Sequence, residues 1–319
     1  MNIIIFGKDG QLGKAFKVIF ANKIEQQHRI HYTGRAECDL ANTDAIAVLL
    51  NQIRPDFIIN AAAYTAVDKA ETEIDLAFAI NAKAPEVMAQ YAVANGANLL
   101  HYSTDYVFDG FKDGFYTEDD RRNPLGVYGI SKAAGEQAIE DVFAHLPAQS
   151  NAHYAIFRTS WVYGDGSNFI RTILHLAKER EELRIISDQH GVPTNAEWLA
   201  KVTLDLVLAK DDQIKRFPSG IYHAVPGGQT TWHALATFAV QSAIEAGLPL
   251  KAKPAAIRAI LAKEYPLPAV RPMNSLMATS RLQALWSGDA DIDKRAQLLE
   301  PWDGLVSAYV QQLVHSKLM

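Results

Sequence analysis

The chain has 319 residues, 49% hydrophobic and 21% charged, with a formal charge of −5, a globular composition with room for one large or two modest α/β domains and no sign of disorder. Its charges are well mixed, so no basic face points to nucleic acid, and an anionic ligand has to be met by local arginines or helix N-termini. Cys38 is the only cysteine, which excludes an internal disulfide and a cysteine-cage metal site, and with no apolar run near the ~20 residues of a membrane span and no signal-peptide pattern the expectation is a cytoplasmic protein without a membrane partner.

The first apolar run, Asn2–Phe6, leads into Gly7-Lys8-Asp9-Gly10-Gln11-Leu12-Gly13. Gly7 permits a tight turn, Gly10 lets backbone approach a pyrophosphate, and Gly13 allows close helix-to-strand packing. The spacing is G-x-x-G-x-x-G rather than G-x-G-x-x-G, a weak match on its own, with a structural turn as the competing reading. The strand before it and the helix expected from about Gly10 favour a dinucleotide loop. The second strand, Arg29–Thr33, is followed by Gly34-Arg35. NAD-selective sites usually carry an acid here, whereas an arginine accommodates a 2′-phosphate. Arg35 therefore favours NADPH over NADH, with a solvated loop charge as the competing reading. Asp39 and Leu40 follow, placed to set a carboxylate or a backbone amide near the adenine.

The third strand, Phe57–Asn60, opens into Ala61-Ala62-Ala63-Tyr64, small side chains where either a cofactor or a helix cap can pack closely. A fourth strand over 98–102 ends in Ser103-Thr104-Asp105-Tyr106, at the strand C-terminus where open α/β sheets bind ligands. A hydroxyl there suits a substrate carbonyl oxygen, which singles out Thr104. The charged, glycine-rich stretch 108–124 reads as a lid or as a solvated loop. The helix expected from Val127 then brings Tyr128 and Lys132, four residues apart, onto one face. An ammonium beside the phenol is expected to lower its pKa and make Tyr128 a proton donor near neutral pH. With 12 tyrosines in the chain the pair alone is close to chance. The ordered set of glycine loop, threonine and Tyr/Lys helix is much more specific.

Further strands are expected over 154–158 and 183–187. Alternating strands and helices predict an α/β fold, a Rossmann-type doubly wound parallel sheet with a smaller C-terminal substrate-binding domain. Residues 1–165 are expected to form the nucleotide-binding domain and 166–319 mainly the substrate domain, with the chain returning to the sheet around 183–225. In the later half, Asn168 either contacts a phosphate or caps a helix, and Arg271 either meets a pyrophosphate or forms a surface ion pair. Trp161 and Trp232 either stack on a ligand ring or fill the core, core packing being preferred for Trp232. His190, His223 and His233 show no metal-ligand spacing.

With the glycine loop, the segments Asn60-Ala61-Ala62-Ala63-Tyr64-Thr65-Ala66-Val67-Asp68-Lys69-Ala70-Glu71, Ser103-Thr104-Asp105-Tyr106-Val107-Phe108, Arg158-Thr159-Ser160-Trp161-Val162-Tyr163, Gly191-Val192-Pro193-Thr194 and Arg271-Pro272-Met273-Asn274-Ser275 carry a resemblance that runs almost end to end. The chain resembles the extended short-chain dehydrogenases/reductases acting on nucleotide sugars and, within them, the dTDP-4-dehydrorhamnose reductase family. The resemblance implies Tyr128 as acid, Lys132 as its electrostatic partner and ribose anchor, Thr104 and Asp105 as sugar contacts, and Trp161 in the sugar pocket. It implies cofactor contacts at Gly10, Gln11, Leu12, Asp39, Leu40, Ala63, Tyr64, Thr65, Tyr128 and Lys132, beside Gly7, Gly13, Arg35 and Ala62. The implied reaction is NADPH-dependent reduction of the C4 ketone of a dTDP-sugar in rhamnose synthesis, with NADH as an alternative donor and the protein a monomer or a homodimer.

Some members are magnesium-dependent through a glutamate two residues beyond the last loop glycine. Ala15 stands there, so no catalytic metal is expected and the magnesium requirement stays open. Three alternatives remain. A 4,6-dehydratase needs an extra acid directly after Thr-Asp, where Tyr106 stands. A 4-epimerase uses the same hydroxyl/Tyr/Lys set while retaining its cofactor. A non-catalytic NADP-binding regulatory subunit would share the fold, which does not fix function.

Overall fold

The computed structural model of the chain describes residues 1–21, 28–146, 150–208, 216–286, 288 and 291–316. Six strands form its central sheet: β1 Asn2–Phe6, β2 Arg29–Thr33, β3 Phe57–Asn60, β4 Asn98–Thr104, β5 Tyr154–Thr159 and β6 Gly220–His223. Their order is β6-β5-β4-β3-β1-β2, and every pairing is parallel. Successive β1 side chains point to opposite faces, and both faces are covered. Ile3 and Ile5 join Phe16, Phe20, Leu199 and Val202 of the helices Gln11–Phe20 and Ala196–Val207. Ile4 and Phe6 join Ile46, Met88 and Ile139 of the helices Thr43–Ile53, Ala84–Asn95 and Val127–Ala144.

Five of the expected strands lie in this sheet, and the sixth does not. Leu183–Ile186 pairs instead with Ile257–Ile260 in a separate two-stranded sheet, while β6 takes the sixth place beside β5. The reason is burial. Arg184 is exposed and the two isoleucines are only half-buried, which suits a small surface sheet. Ile221, Tyr222 and His223 are all buried, but a four-residue run that includes glycine and histidine carries little strand signal.

A second apolar cluster gathers the helices Phe169–Glu179, Trp232–Glu245 and Trp302–His315 around Leu174, Leu235 and Val310, and takes in Leu183 and Ile257. The strand order reverses between β1 and β3, the switch point at which open α/β sheets form a crevice beyond their strand C-termini.

Candidate active site

That crevice is a cavity of about 880 Å³ lined by residues from both parts of the chain. At one end is the glycine loop. Gly7 has φ +91°, a left-handed conformation that a side chain would strain, and a Cβ there would stand 2.8 Å from the backbone of Ala61 and Ala62. A Cβ on Gly13 would meet Gly7 O at 2.1 Å, so Gly13 packs the helix onto the turn and does not line the cavity. Gly10 caps the Gln11–Phe20 helix without a side-chain bond, and its first turn carries no acid. The N–H groups at Gln11 and Leu12 therefore open onto the cavity with the positive end of the helix, a ready site for a phosphate. The buried Oε1 of Gln11 and Oγ1 of Thr159, both on residues of the cavity wall, have no partner among the described residues. These features fit a dinucleotide.

The ends of β2 and β3 form the neighbouring wall. Thr33 O accepts from Gly7 N–H at 2.9 Å, tying β2 to the loop. Arg35 lines the cavity with its side chain 79% exposed and 3.8 Å from Asp39. Glu37 is engaged by Lys8 and accepts from Gly34 N–H. Asp39, Leu40, Ala62, Ala63, Tyr64 and Thr65 all line the same space. Buried Asn81 holds this strap, accepting from Tyr64 N–H at 2.9 Å and donating to Tyr64 O at 3.1 Å and to Ser131 Oγ at 3.0 Å.

At the other end, β4 and the Val127–Ala144 helix bring Thr104, Asp105, Tyr128 and Lys132 together. The Thr104 hydroxyl donates to Asp105 Oδ1 at 2.9 Å and accepts from Tyr106 N–H at 3.2 Å, and Thr104 and Tyr128 both line the cavity here. Ser275 Oγ donates to the other carboxylate oxygen at 2.5 Å. Burial pushes the Asp105 carboxyl up to about 6, against the pull of Ser275 and Thr104.

Tyr128 departs from expectation. Its phenol is pushed up to about 12 by burial, with the neighbouring Thr104 hydroxyl pulling down and the Asp105 charge pushing up. Lys132 shares a helix face with Tyr128, but its Nζ is not spent on the phenol. Its Nζ donates to Tyr102 O at 2.6 Å and lies 3.0 Å from His101 Nε2, both on β4. Burial pulls Lys132 down to about 7, and Glu136 opposes that pull.

Trp161 adopts φ +48° and stacks on Trp232 with ring centroids 3.6 Å apart. A Cβ on Gly191 would lie 2.6 Å from the Trp161 ring. Both tryptophans line the cavity, so Trp232 is a wall residue as well as a partner of the second core. Asn168 and Arg271 lie off the walls. Asn168 caps the Phe169–Glu179 helix by accepting from Arg171 N–H and spends its Nδ2 on Gly164 O, Gly166 O and Tyr309 Oη. Arg271 makes a two-pronged ion pair with Asp68, at 2.8 and 2.7 Å. The stretch 108–124 contributes nothing to the cavity wall. Phe108 stacks on Tyr116, and Asn274 Nδ2 donates to Lys112 O and Gly114 O at 2.7 Å each.

Sequence reading passed over His101, Asn81 and Ser275. A polar residue inside the apolar run Leu99-Leu100-His101-Tyr102 was a usable signal for His101. Nothing local distinguishes Asn81. Among the described residues no group of three or more His, Cys, Asp or Glu could hold a metal ion, and Ala15 is 4% exposed within the sheet-facing core.

The sequence profile of the RmlD substrate binding domain matches residues 1–295. The dTDP-4-dehydrorhamnose reductase of Escherichia coli K12 is 44% identical over 89% of this chain and 91% of its own length. Among solved structures, a dTDP-4-dehydrorhamnose reductase of Clostridium acetobutylicum superposes with a TM-score of 0.83 at 32% identity, covering 98% of this chain and 99% of its own. The Bacillus anthracis enzyme of the same name, solved in complex with NADP, gives 0.82 at 30% identity with the same coverage.

Proposed function

The chain belongs to the dTDP-4-dehydrorhamnose reductase family, and from that premise we propose that it reduces the C4 ketone of dTDP-4-dehydro-L-rhamnose to dTDP-L-rhamnose with NADPH. One observation carries the reading. A single cavity joins an uncapped helix N-terminus and glycine loop at one end to Thr104, Tyr128 and Lys132 at the other, so a bound dinucleotide and a sugar ketone can meet inside it.

The Gln11–Phe20 helix N-terminus and the loop N–H groups hold the pyrophosphate, and Arg35 holds the 2′-phosphate. Bound NADPH supplies the hydride. Thr104 orients the ketone oxygen and Tyr128 gives its proton to that oxygen as negative charge develops there. A phenol held near 12 is fully protonated at neutral pH and matches an alkoxide better than a carboxylic acid would. Trp161, braced by Trp232, walls the sugar side. In the ligand-free protein the Thr104 proton is held by Asp105, and it turns from that carboxylate to the ketone oxygen when the sugar binds. We assign Tyr128, Lys132 and Thr104 to the chemistry on this basis, and the lone buried Cys38, with no described helix long and apolar enough to cross a membrane, supports a cytoplasmic site of action.

The reading is tested with NADPH deuterated at nicotinamide C4. Incubated with dTDP-4-dehydro-L-rhamnose, the protein should release dTDP-L-rhamnose carrying one deuterium at C4, with one NADPH consumed per product. A ketone left unreduced with NADPH unconsumed, together with interconversion of C4-epimeric dTDP-hexoses, would instead indicate an epimerase.

A further inference from the structure

Lys132 is surrounded by groups that fix how many protons it can carry. Asn60 Oδ1 accepts from Ala62 N–H at 3.2 Å, which determines the way its amide faces. Its Nδ2 therefore donates towards His101 Nδ1, 3.0 Å away, and that ring nitrogen has to present a lone pair. His101 is 1% exposed, and burial holds it neutral. Its one ring proton is therefore on Nε2.

Nε2 lies 3.0 Å from Lys132 Nζ. An ammonium offers only donors and cannot accept from Nε2–H, whereas a neutral amine accepts from it while donating to Tyr102 O at 2.6 Å. The charged and titratable groups around this point are otherwise engaged. Glu136, one turn along the helix, is bonded to Arg158 and Arg122, Asp105 accepts from Thr104 and Ser275, and the Tyr128 ring packs edge-on against Tyr106.

We propose that Asn60 and His101 are positioning residues that keep Lys132 a neutral amine in the cofactor-free protein, and that binding of NADPH draws one solvent proton onto Lys132. Protonation occupies the Nζ lone pair, so the contact with Nε2–H is lost and the new ammonium turns to acceptors in the cavity it lines. The negative charge of the nucleotide favours that form. This inference rests on the nicotinamide site proposed above.

Two measurements test it. Long-range proton–nitrogen NMR on ¹⁵N-histidine-labelled, cofactor-free protein reports the His101 tautomer, and calorimetry of NADPH binding in two buffers of different ionisation enthalpy counts the protons taken up. We expect a protonated Nε2 with a bare Nδ1, and an uptake approaching one proton per NADPH at about pH 8. In Asn60→Asp the new carboxylate oxygen accepts from Nδ1–H, Nε2 becomes an acceptor and Lys132 stays charged, so the uptake should vanish while NADPH still binds. Should that variant not fold, Lys132→Met serves, and uptake retained in it would place the proton elsewhere and overturn the proposal. A wild-type His101 protonated on Nδ1, or NADPH binding without proton uptake, would also overturn it. Absence of NADPH binding would count against the nicotinamide site itself, and the tautomer would then decide the inference separately.

Discussion

Arg158 and Glu136 meet beneath the active-site helix as a buried ion pair, 2.7 Å apart and 1% and 0% exposed. Glu136 is one turn beyond Lys132 and also receives Arg122, which Glu140 shares, so two carboxylates balance two guanidinium groups below the catalytic face. Glu136→Gln leaves Arg158 buried without its counter-charge, and the expected loss is about 3–5 kcal/mol of folding stability. Urea denaturation measures it. A loss below about 1 kcal/mol would mean that the pair is dispensable.

Lys132 should leave a mark on the pH dependence of stability. Its folded value of about 7 lies below its ordinary 10.5, so between those limits the unfolded chain binds a proton that the folded protein does not. Stability then rises with pH across that window. The difference in unfolding free energy between the wild type and Lys132→Met should grow in favour of the wild type as pH climbs from about 7 towards 10. Parallel curves would show that Lys132 titrates normally.

Arg35 is exposed, and its contact with Asp39 is long, so it is free to meet a 2′-phosphate. Arg35→Ala should raise KM for NADPH by about tenfold, the loss of one charge-assisted contact, with little change for NADH. Equal effects on the two cofactors would remove Arg35 from the phosphate site.

Trp232→Ala withdraws the face on which Trp161 stacks. The expected outcome is a rise of roughly tenfold in KM for the sugar nucleotide, with NADPH affinity unchanged. A change confined to NADPH would place the tryptophan pair at the wrong end of the cavity.

The sheet was legible wherever periodicity and punctuation agreed. Ile3 to Phe6 is a continuous apolar run closed by glycine, and the strand expected over Asn2–Phe6 is found residue for residue. Leu183–Ile186 has the right composition for a strand, but which sheet it joins depends on partners some seventy residues away in sequence, a contact no local pattern reports. The site shows the same division. Thr104, Tyr128 and Lys132 follow from motif spacing, and their meeting follows from parallel topology. The direction of the Lys132 side chain does not, because it depends on His101 and the Tyr102 carbonyl of β4, some thirty residues earlier in the chain. Asn168 and Arg271 were ambiguous for a related reason: a cap and an ion pair use the same chemistry as a phosphate contact.

The role of Tyr128 is tested most directly by following NADPH oxidation with dTDP-4-dehydro-L-rhamnose, wild type against Tyr128→Phe, with NADPH binding measured on both. Removing the phenolic proton while keeping the ring should lower kcat by about 10²- to 10⁴-fold, with NADPH bound as before. Near-normal turnover by Tyr128→Phe would contradict proton donation by Tyr128.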